Sequence, residues 1–234
     1  MVDNRYRKIL TIIIVIIAVG ALVSASFFGY DIYKKIKVES GIDDFENEFD
    51  TKLESTNEIT DNTNEIEEGS NENANSETTS NSSSNKTSSS KTSTSKKTAI
   101  ALKYKGFDVA GKIEIPAINI KYPVLTVATN KSMQVSVGIV YGPGLNKPGN
   151  TTIMGHNYRN GTLFSKNDKL KNGDEIFITD LTGKRVRYVI YNKYNTSSTD
   201  FDYATRDTKG ATEITLESCT NDSKARIIIW AKAS

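Results

Sequence analysis

The chain has 234 residues, of which 37% are hydrophobic, and its 30 basic and 28 acidic side chains leave a formal net charge of +2. No concentrated basic face accompanies this near balance, which argues against nucleic acid as a partner. A single Cys and a single His exclude an intramolecular disulfide framework and any zinc site built from three or four Cys or His ligands. Thiol or imidazole chemistry therefore has one candidate of each kind.

The first predicted element is the apolar segment 9–30, ILTIIIVIIAVGALVSASFFGY. At helical rise it is long enough to cross a bilayer core of about 30 Å, which predicts one transmembrane helix. A cleaved signal peptide is the alternative, because Ser24 and Ser26 are small residues at a suitable cleavage spacing. The apolar core of segment 9–30 is longer than the roughly 7 to 15 residues that are usual in signal peptides. We therefore expect a retained signal anchor in contact with membrane lipid.

The orientation of this helix rests on weak charge asymmetry. Basic residues lie on both flanks: Arg5, Arg7 and Lys8 before the helix, and Lys34, Lys35 and Lys37 after it. The polar, acidic segment that follows is suited to a solvated exterior. We therefore expect residues 1–8 to be cytoplasmic and the remainder of this single-pass protein to be extracytoplasmic.

Residues 31–98 are predicted to be a stalk and low-complexity linker. Apolar residues recur at helical spacing over 32–53, interrupted by Gly41, which permits a short amphipathic helix; a partly ordered, solvated stalk is the alternative. From about 54 to 98 an acidic and then Ser/Thr/Asn/Lys-rich composition predicts disorder. A coil of about 45 residues spans roughly 35 to 40 Å, which would lift a folded domain off the lipid.

Residues 99–234 are predicted to be the folded domain, with an all-β fold. Apolar and β-branched runs alternate with turn residues at GKIEIPAINI, VSVGIVYG, NTTIMGH, DEIFITD, KRVRYVIYNK, EITLESC and ARIIIWAK. Seven or eight strands suit a closed barrel or a sandwich. Short helical turns are expected at NKSMQVS and at TLFSKNDK, with Thr162 as a helix cap.

Three polar residues fall at the ends of predicted strands. His156 follows NTTIM and Cys219 ends EITLES, with Glu217 on the same face as the Cys. If the alternate residues face the core, Cys219 faces outward. Arg226 shares its strand face with Ile228 and Trp230, which predicts an outer groove with apolar walls and one cation.

A lone Cys is more often a small buried hydrophobe than a nucleophile, and a lone His or Arg is usually structural. Here the joint pattern is specific. TIMGHN, then TLESC, then Arg226 resemble the His, TLxTC and Arg signature of sortases, and GKIEIPAINIKYPVL resembles the first two strands of that family. The membrane span and polar stalk before the domain are also typical of sortases.

The resemblance implies an eight-stranded, closed sortase-type β-barrel with short helices. It implies a cysteine transpeptidase in which Cys219, His156 and Arg226 are catalytic, and we expect substrate contacts from Ser218 and from the groove formed by Ile228 and Trp230. No cofactor and no metal are expected.

The implied substrates are secreted proteins with a C-terminal LPxTG-like sorting signal, transferred through a thioester to an amine of a cell-wall peptide or its lipid-linked precursor. The implied location is the plasma membrane of a Gram-positive-type bacterium. At reference pKa values, thiolate is about 3% of Cys at pH 7. Either this small population carries the reaction, or Arg226 and His156 lower the pKa of Cys219 and enlarge it, and the sequence leaves both open. An apolar groove and Glu217 argue against a very large stabilisation of the thiolate, which is compatible with a slow enzyme.

The sequence departs from the family pattern in places. Ser218 replaces the usual Thr, Glu217 occupies the variable position, and the class B-like ending lacks that class's long helical insertion between Tyr194 and Ala211. The subclass therefore stays open.

A hydrolytic cysteine protease or peptidoglycan peptidase is the nearest alternative, although papain-like enzymes place Cys before His. The His-Gly-Cys cluster of L,D-transpeptidases is missing. A stalked, non-catalytic surface module, with Cys219 and His156 structural, is the alternative from another class.

Overall fold

The computed structural model describes residues 4–63 and 99–234. Two long helices precede a domain of nine strands, one short helix and three 3₁₀ turns within this part of the chain. The helices are α1 (Asn4–Glu39), α2 (Ile42–Thr63) and α3 (Asp202–Thr205). The strands are β1 (Lys103–Tyr104), β2 (Phe107–Ile115), β3 (Ile120–Leu125), β4 (Val137–Tyr141), β5 (Gly149–Met154), β6 (Glu175–Asp180), β7 (Arg185–Ser197), β8 (Thr212–Cys219) and β9 (Ala225–Ala233).

The strands close into a barrel. Their order is β1-β2-β3-β4-β5-β8-β9-β7-β6, and a further antiparallel pairing of β2 with β6 joins the two ends of β2–β9. The two-residue strand β1 pairs outside this ring, on β2. Closure leaves no long unpaired edge among the eight barrel strands. The predicted all-β, eight-stranded barrel is therefore confirmed.

The barrel core follows from the alternation of side chains along each strand. In β2 the residues Val109, Gly111, Ile113 and Ile115 alternate with partly exposed neighbours. Gly111 is required there because a Cβ would lie 2.3 Å from the carbonyl oxygen of Thr179 on the paired strand. Complete burial of each Ile or Leu in this core contributes roughly 1.5 to 3 kcal/mol. The central residues of the core include Ile113, Ile153, Ile178, Ile214, Leu216 and Ile229.

The two short helical turns fall close to the predicted places. They are 3₁₀ turns at Ser132–Gln134 and Asn167–Lys169. Thr162 does not cap the second turn, so that prediction is wrong. Its hydroxyl bonds the side-chain oxygen of Asn160, and the turn begins several residues later, after Lys166.

Strands β5 and β8 run parallel, and this pairing positions the site. A parallel pair requires a long crossover, which here contains β6, β7 and α3. Because parallel strands end at the same rim of a sheet, the residues after Met154 and those at the end of β8 lie side by side. The antiparallel neighbour β9 begins at this rim with Ala225.

Helix α2 packs on the outside of the barrel. Phe45 and Phe49 are buried in a second cluster with Leu102, Tyr104, Val109, Leu125 and Val135. Asp43 and Asp44 in the first turn favour the helix because they lie at its positive end. Of the two alternatives for residues 32–53, the structure contains helix on both sides of Gly41: residues 32–39 continue α1, and the amphipathic helix is α2, which extends to Thr63, beyond the predicted start of the linker at about 54. The remainder of that predicted linker, 64–98, lies outside the described residues.

Helix α1 is continuous through the predicted membrane span and the next residues, 31–39. Within residues 4–63 and 99–234, one helix is long and apolar enough to cross a membrane, and the apolar window of that helix is fully exposed. The exposed large side chains include Ile16, Ile17, Leu22, Phe27 and Phe28. At about 1.5 Å per residue, α1 is roughly 54 Å long, which exceeds a bilayer core. Its last turn contacts the barrel through Val38.

Candidate active site

His156 lies beside Cys219 at the shared rim of β5 and β8. Met154 is paired with Glu217, and the backbone N–H of Gly155 donates to the carbonyl of Glu217 at 3.1 Å. On the other side, Nδ2 of Asn157 donates to the carbonyl of Cys219 at 3.0 Å. These two bonds hold the chain on both sides of His156 against the end of β8.

Arg226 reaches the same point from β9. Cys219 and Arg226 are directly paired across the antiparallel ladder, and Nη1 of Arg226 lies 3.2 Å from Sγ of Cys219. The connecting turn is closed by Thr220, whose N–H donates to the carbonyl of Ala225 at 2.9 Å. The thiol is free and half-buried. The structure thus brings together the three residues that the sequence places at strand ends.

Glu217 is the second partner of the Arg226 guanidinium. Its side chain is 2% exposed, and Oε1 lies 3.2 Å from Nε of Arg226. Burial raises the pKa of Glu217 above the ordinary value, against the opposing effects of a hydrogen bond from Tyr203 and the charge of Arg226. The sequence placed Glu217 on the same strand face as Cys219. It did not indicate that Glu217 is buried, because no pattern identified Tyr203 as its neighbour.

His156 is half-buried beneath the end of helix α1. Burial, and next the positive charge of Lys34, lower the pKa of the imidazole below its usual value. The ring packs on Tyr158 with 5.0 Å between centroids, and Lys34 Nζ lies 4.8 Å from the centre of the Tyr158 ring. A cavity of about 320 Å³ separates His156, Tyr158 and Gln134 from the helix. Lys34 was not recognisable from the sequence, since its contact with Tyr158 joins residues far apart in the chain. Tyr158 is only two residues from His156, but no motif marked it as a neighbour of the ring.

Two of the three expected substrate contacts are not on an open groove. Ser218 is 1% exposed, and its hydroxyl has no hydrogen-bond partner among the described residues. Ile228 is fully buried in a small cluster with Tyr203 and Ala204. Trp230 is partly exposed. The prediction for both residues is corrected, for two different reasons. Ser218 pairs with Ile227 and shares the barrel-interior face of β8 with Ile214 and Leu216. Ile228 lies on the outer face of β9, which α3 covers through Tyr203 and Ala204.

A buried polar network fixes α3 in this position. Asn150 donates from Nδ2 to the carbonyls of Tyr203 and Ala204 at 3.1 and 2.9 Å. Arg206 forms a salt bridge with Glu213, and its guanidinium stacks over Trp230 at 4.5 Å from the ring centre. Trp230 was predicted to line an open groove. In the structure it packs against Arg206, just after α3, and so helps to hold α3 over Ile228.

No group of three or more His, Cys, Asp or Glu side chains in the described ranges is arranged to hold a metal ion. The rim itself presents a thiol, an imidazole and a guanidinium. A thiol can attack a carbonyl carbon, an imidazole can exchange a proton, and a guanidinium can donate hydrogen bonds to a developing oxyanion.

Comparison with known proteins gives matches over the barrel. A family model described as the sortase domain matches residues 113–234. A curated relative, sortase A of Bacillus anthracis, is 30% identical over 130 residues, which cover 52% of this chain and 58% of the relative. The chain therefore spans less than two thirds of that relative's length.

Solved structures show a similar fold. Sortase A of Corynebacterium diphtheriae is 25% identical with a TM-score of 0.50, covering 55% of this chain and 61% of the other. Sortase C1 of Streptococcus agalactiae, in complex with MTSET, is 21% identical with a TM-score of 0.50, covering 54% of this chain and 69% of the other. The second of these likenesses supports the fold alone.

Proposed function

The chain belongs to the sortase family, and we propose that it is a membrane-anchored cysteine transpeptidase that acts on C-terminal sorting signals of secreted proteins. The observation that carries the proposal is the placement of Arg226 Nη1 at 3.2 Å from Cys219 Sγ, with His156 just beyond the end of the parallel strand β5, where its neighbours bond to the end of β8. The three groups meet at a half-buried thiol.

Cys219 is the proposed nucleophile. Its thiolate attacks the carbonyl carbon of the Thr in an LPxTG-like signal. The C–N bond from this carbonyl to the next residue breaks, and a thioester forms on Sγ. The departing amine takes a proton from the imidazolium of His156. An incoming amine then attacks the thioester carbonyl and transfers its proton to the neutral His156, and the C–S bond breaks to return the thiolate.

Arg226 is the proposed oxyanion partner. Nε is held by Glu217, so the two Nη atoms are directed to the rim where the thiol lies. A guanidinium fixed in this way offers several donors with a defined direction to the carbonyl oxygen as it becomes negative. Because burial and Lys34 lower the pKa of His156, the imidazolium is disfavoured in this conformation, which supports the expectation of a slow reaction.

The acceptor is proposed to be an amine of a cell-wall peptide or of its lipid-linked precursor, and the chain is proposed to be single-pass with the barrel outside the cell. Residues 9–30 within α1 support the anchor, since they are apolar and exposed.

A peptide assay tests the proposal. The full-length chain in detergent micelles is incubated with a library of sorting-signal peptides and a set of amine acceptors, and the products are identified by mass. We expect an amide adduct in which the part of the peptide before the cleaved bond is joined to the amine, and none with Cys219→Ala. Hydrolysed acid without an adduct over all acceptors would favour the protease alternative, and no product of either kind would favour a non-catalytic surface module.

A further inference from the structure

The extracytoplasmic end of α1 is bound to the barrel. Val38 is 1% exposed and belongs to the main barrel core. The hydroxyl of Tyr104 lies 3.3 Å from the carbonyl oxygen of Val38 and 3.2 Å from that of Ser40. Lys105 donates from Nζ to the carbonyl of Lys37. A cation at the last carbonyls of a helix is favoured by the helix dipole, so the end of α1 is held by packing, hydrogen bonds and charge together.

Helix α2 strengthens the same attachment. The chain turns at Gly41, whose φ of +83° favours glycine, and α2 then lies on the barrel through Phe45 and Phe49. Asp50 forms a salt bridge of 2.8 Å with Lys112, whose ammonium also lies over the Phe49 ring. The segment between the membrane span and the linker is therefore part of the folded body and does not act as a flexible tether.

This attachment changes the role of the tract 64–98. The tract leaves from α2 and re-enters the described chain at Ala99, where both neighbouring segments belong to one body. Lys52 of α2 donates to the carbonyl of Ala101 at 3.4 Å, and the N–H of Ile100 donates to the carbonyl of Leu181 on the barrel at 2.9 Å. Because the chain contacts the barrel before the tract, through Lys52 and Leu53 of α2, and after it, through Ile100, the length of the tract does not set the distance from the barrel to the bilayer.

The rim with the site lies close to where α1 leaves the lipid. The predicted span ends at Tyr30, and Lys34 is about 6 Å further along the helix axis. Lys34 already contacts the ring of Tyr158, which packs on His156. These two turns of α1 carry the residue types that are favoured at the headgroup level of a membrane, namely Tyr30, Tyr33, Lys34, Lys35 and Lys37.

We propose that the barrel is mounted directly on the bilayer, with the His156 and Cys219 rim held at the level of the phospholipid headgroups by α1 and α2. The proposal rests on the membrane anchor in the proposed function and specifies its geometry. The surface that surrounds His156 then faces lipid, and a substrate or acceptor with a membrane-embedded segment meets the thiol at the membrane surface. The prediction that the linker lifts the domain off the lipid is replaced by this arrangement.

Energy transfer from the rim to labelled lipid tests the proposal. Lys224 is exposed in the turn between β8 and β9, so Lys224→Cys combined with Cys219→Ala gives one accessible thiol for a donor fluorophore. The full chain is reconstituted in phosphatidylcholine and phosphatidylglycerol vesicles that contain an acceptor-labelled headgroup lipid. Because this variant is inactive, its result does not depend on whether the proposed reaction occurs.

Two length variants complete the experiment. Deletion of residues 64–98 is expected to leave the transfer efficiency unchanged. Insertion of about 30 Gly and Ser residues between Tyr30 and Asp31, with a root-mean-square span of about 30 Å, is expected to reduce it several-fold. Transfer in the parent chain as low as in the insertion variant, or a rise on deletion of 64–98, would overturn the proposal, since either result means that the linker spaces the barrel from the bilayer.

Discussion

Arg226 lies between Cys219 and Glu217 and contacts each with a different nitrogen of its guanidinium. Nη1 is 3.2 Å from the sulfur of Cys219, whereas Nε is 3.2 Å from Oε1 of Glu217. The two contacts fix the plane of the guanidinium relative to the thiol. The two charges also have opposite effects at the sulfur, because the Glu217 carboxylate partly offsets the positive potential of the Arg226 guanidinium.

Arg226→Lys is expected to lower kcat/KM for a sorting-signal peptide by about 10²- to 10³-fold, the usual effect of removing one oxyanion donor. An ammonium is a point charge and cannot bind Glu217 and the reacting oxygen with the same fixed geometry. Steady-state kinetics check the loss, and thermal unfolding checks that the barrel is intact. Arg187→Lys is the matched control, because Arg187 on β7 forms an exposed salt bridge with Glu175 on β6. Near-normal turnover in Arg226→Lys would remove this residue from the mechanism.

Glu217→Gln is expected to increase the rate at which iodoacetamide alkylates Cys219 at pH 7 by on the order of tenfold, because it removes the negative charge that offsets the Arg226 guanidinium beside the sulfur. The amide keeps the shape of the side chain and can still accept from Arg226. Glu175→Gln, at the exposed salt bridge between β6 and Arg187 of β7, is the control. A slower rate in Glu217→Gln would show that orientation of the guanidinium outweighs the charge of the carboxylate.

The same substitution changes the pH dependence of stability. The folded pKa of Glu217 is raised by burial, so its contribution to stability is complete below the unfolded value of about 4.3 and is lost as the pH rises through the folded value. Urea unfolding at pH 4 and pH 8 is therefore expected to show a smaller loss between these values in Glu217→Gln than in the parent chain. An equal loss in both proteins would assign the dependence to other groups.

Lys34→Gln is expected to raise the pKa of His156, because it removes the positive charge that disfavours the imidazolium. His156 is the sole His of the chain, so its ring resonances are assigned without ambiguity in an NMR titration. Lys35→Gln, whose side chain is not among those lining the cavity at His156, is the control. An unchanged titration midpoint in Lys34→Gln would mean that α1 does not lie over the imidazole in solution.

The depressed pKa of His156 also has a thermodynamic consequence. Neutral His156 contributes stability above the unfolded value of about 6.5, and this contribution is lost as the pH falls through the folded value. Lys34→Gln brings the folded and unfolded values closer together. Unfolding free energies measured between pH 7.5 and pH 5 are therefore expected to fall less steeply in this variant than in Lys35→Gln.

Phe49→Ala is expected to reduce the free energy of unfolding by about 3 to 5 kcal/mol, the usual cost of truncating a buried Phe. Phe49 is fully buried between α2 and the barrel, although it belongs to a segment with a stalk-like composition. Urea denaturation of the full chain measures the change. Val127→Ala, at a side chain that is 59% exposed, is the control and is expected to change little. A change below about 0.5 kcal/mol in Phe49→Ala would mean that α2 is not part of the folded body.

The strands and the three strand-end residues were predictable because they depend on local patterns. Alternation of apolar residues identified the runs that become β2, β5, β8 and β9. The placement of His156, Cys219 and Arg226 at the ends of such runs was readable in the same way. These features require no knowledge of which distant segments come into contact.

The cover over β8 and the attachment of the helices were not predictable from periodicity. Tyr203 lies in a four-residue helix, too short for any pattern, and it buries Ile228 and Glu217 through contacts across the sheet. Strand alternation assigns a residue to a face, but it does not reveal whether that face is covered. In the same way, the composition of α2 indicated solvent, whereas Phe45 and Phe49 are buried in its contact with the barrel and Ile42 and Leu53 pack beside the core.

Intact-mass measurement of the enzyme during reaction tests the central claim most directly. The full-length chain is mixed with a reactive sorting-signal peptide, quenched with acid and digested for peptide mapping. The account predicts an adduct equal to the part of the peptide before the cleaved bond, located on Cys219 and released when an amine is added. Product formation with no adduct on Cys219, or an adduct on another residue, would contradict it.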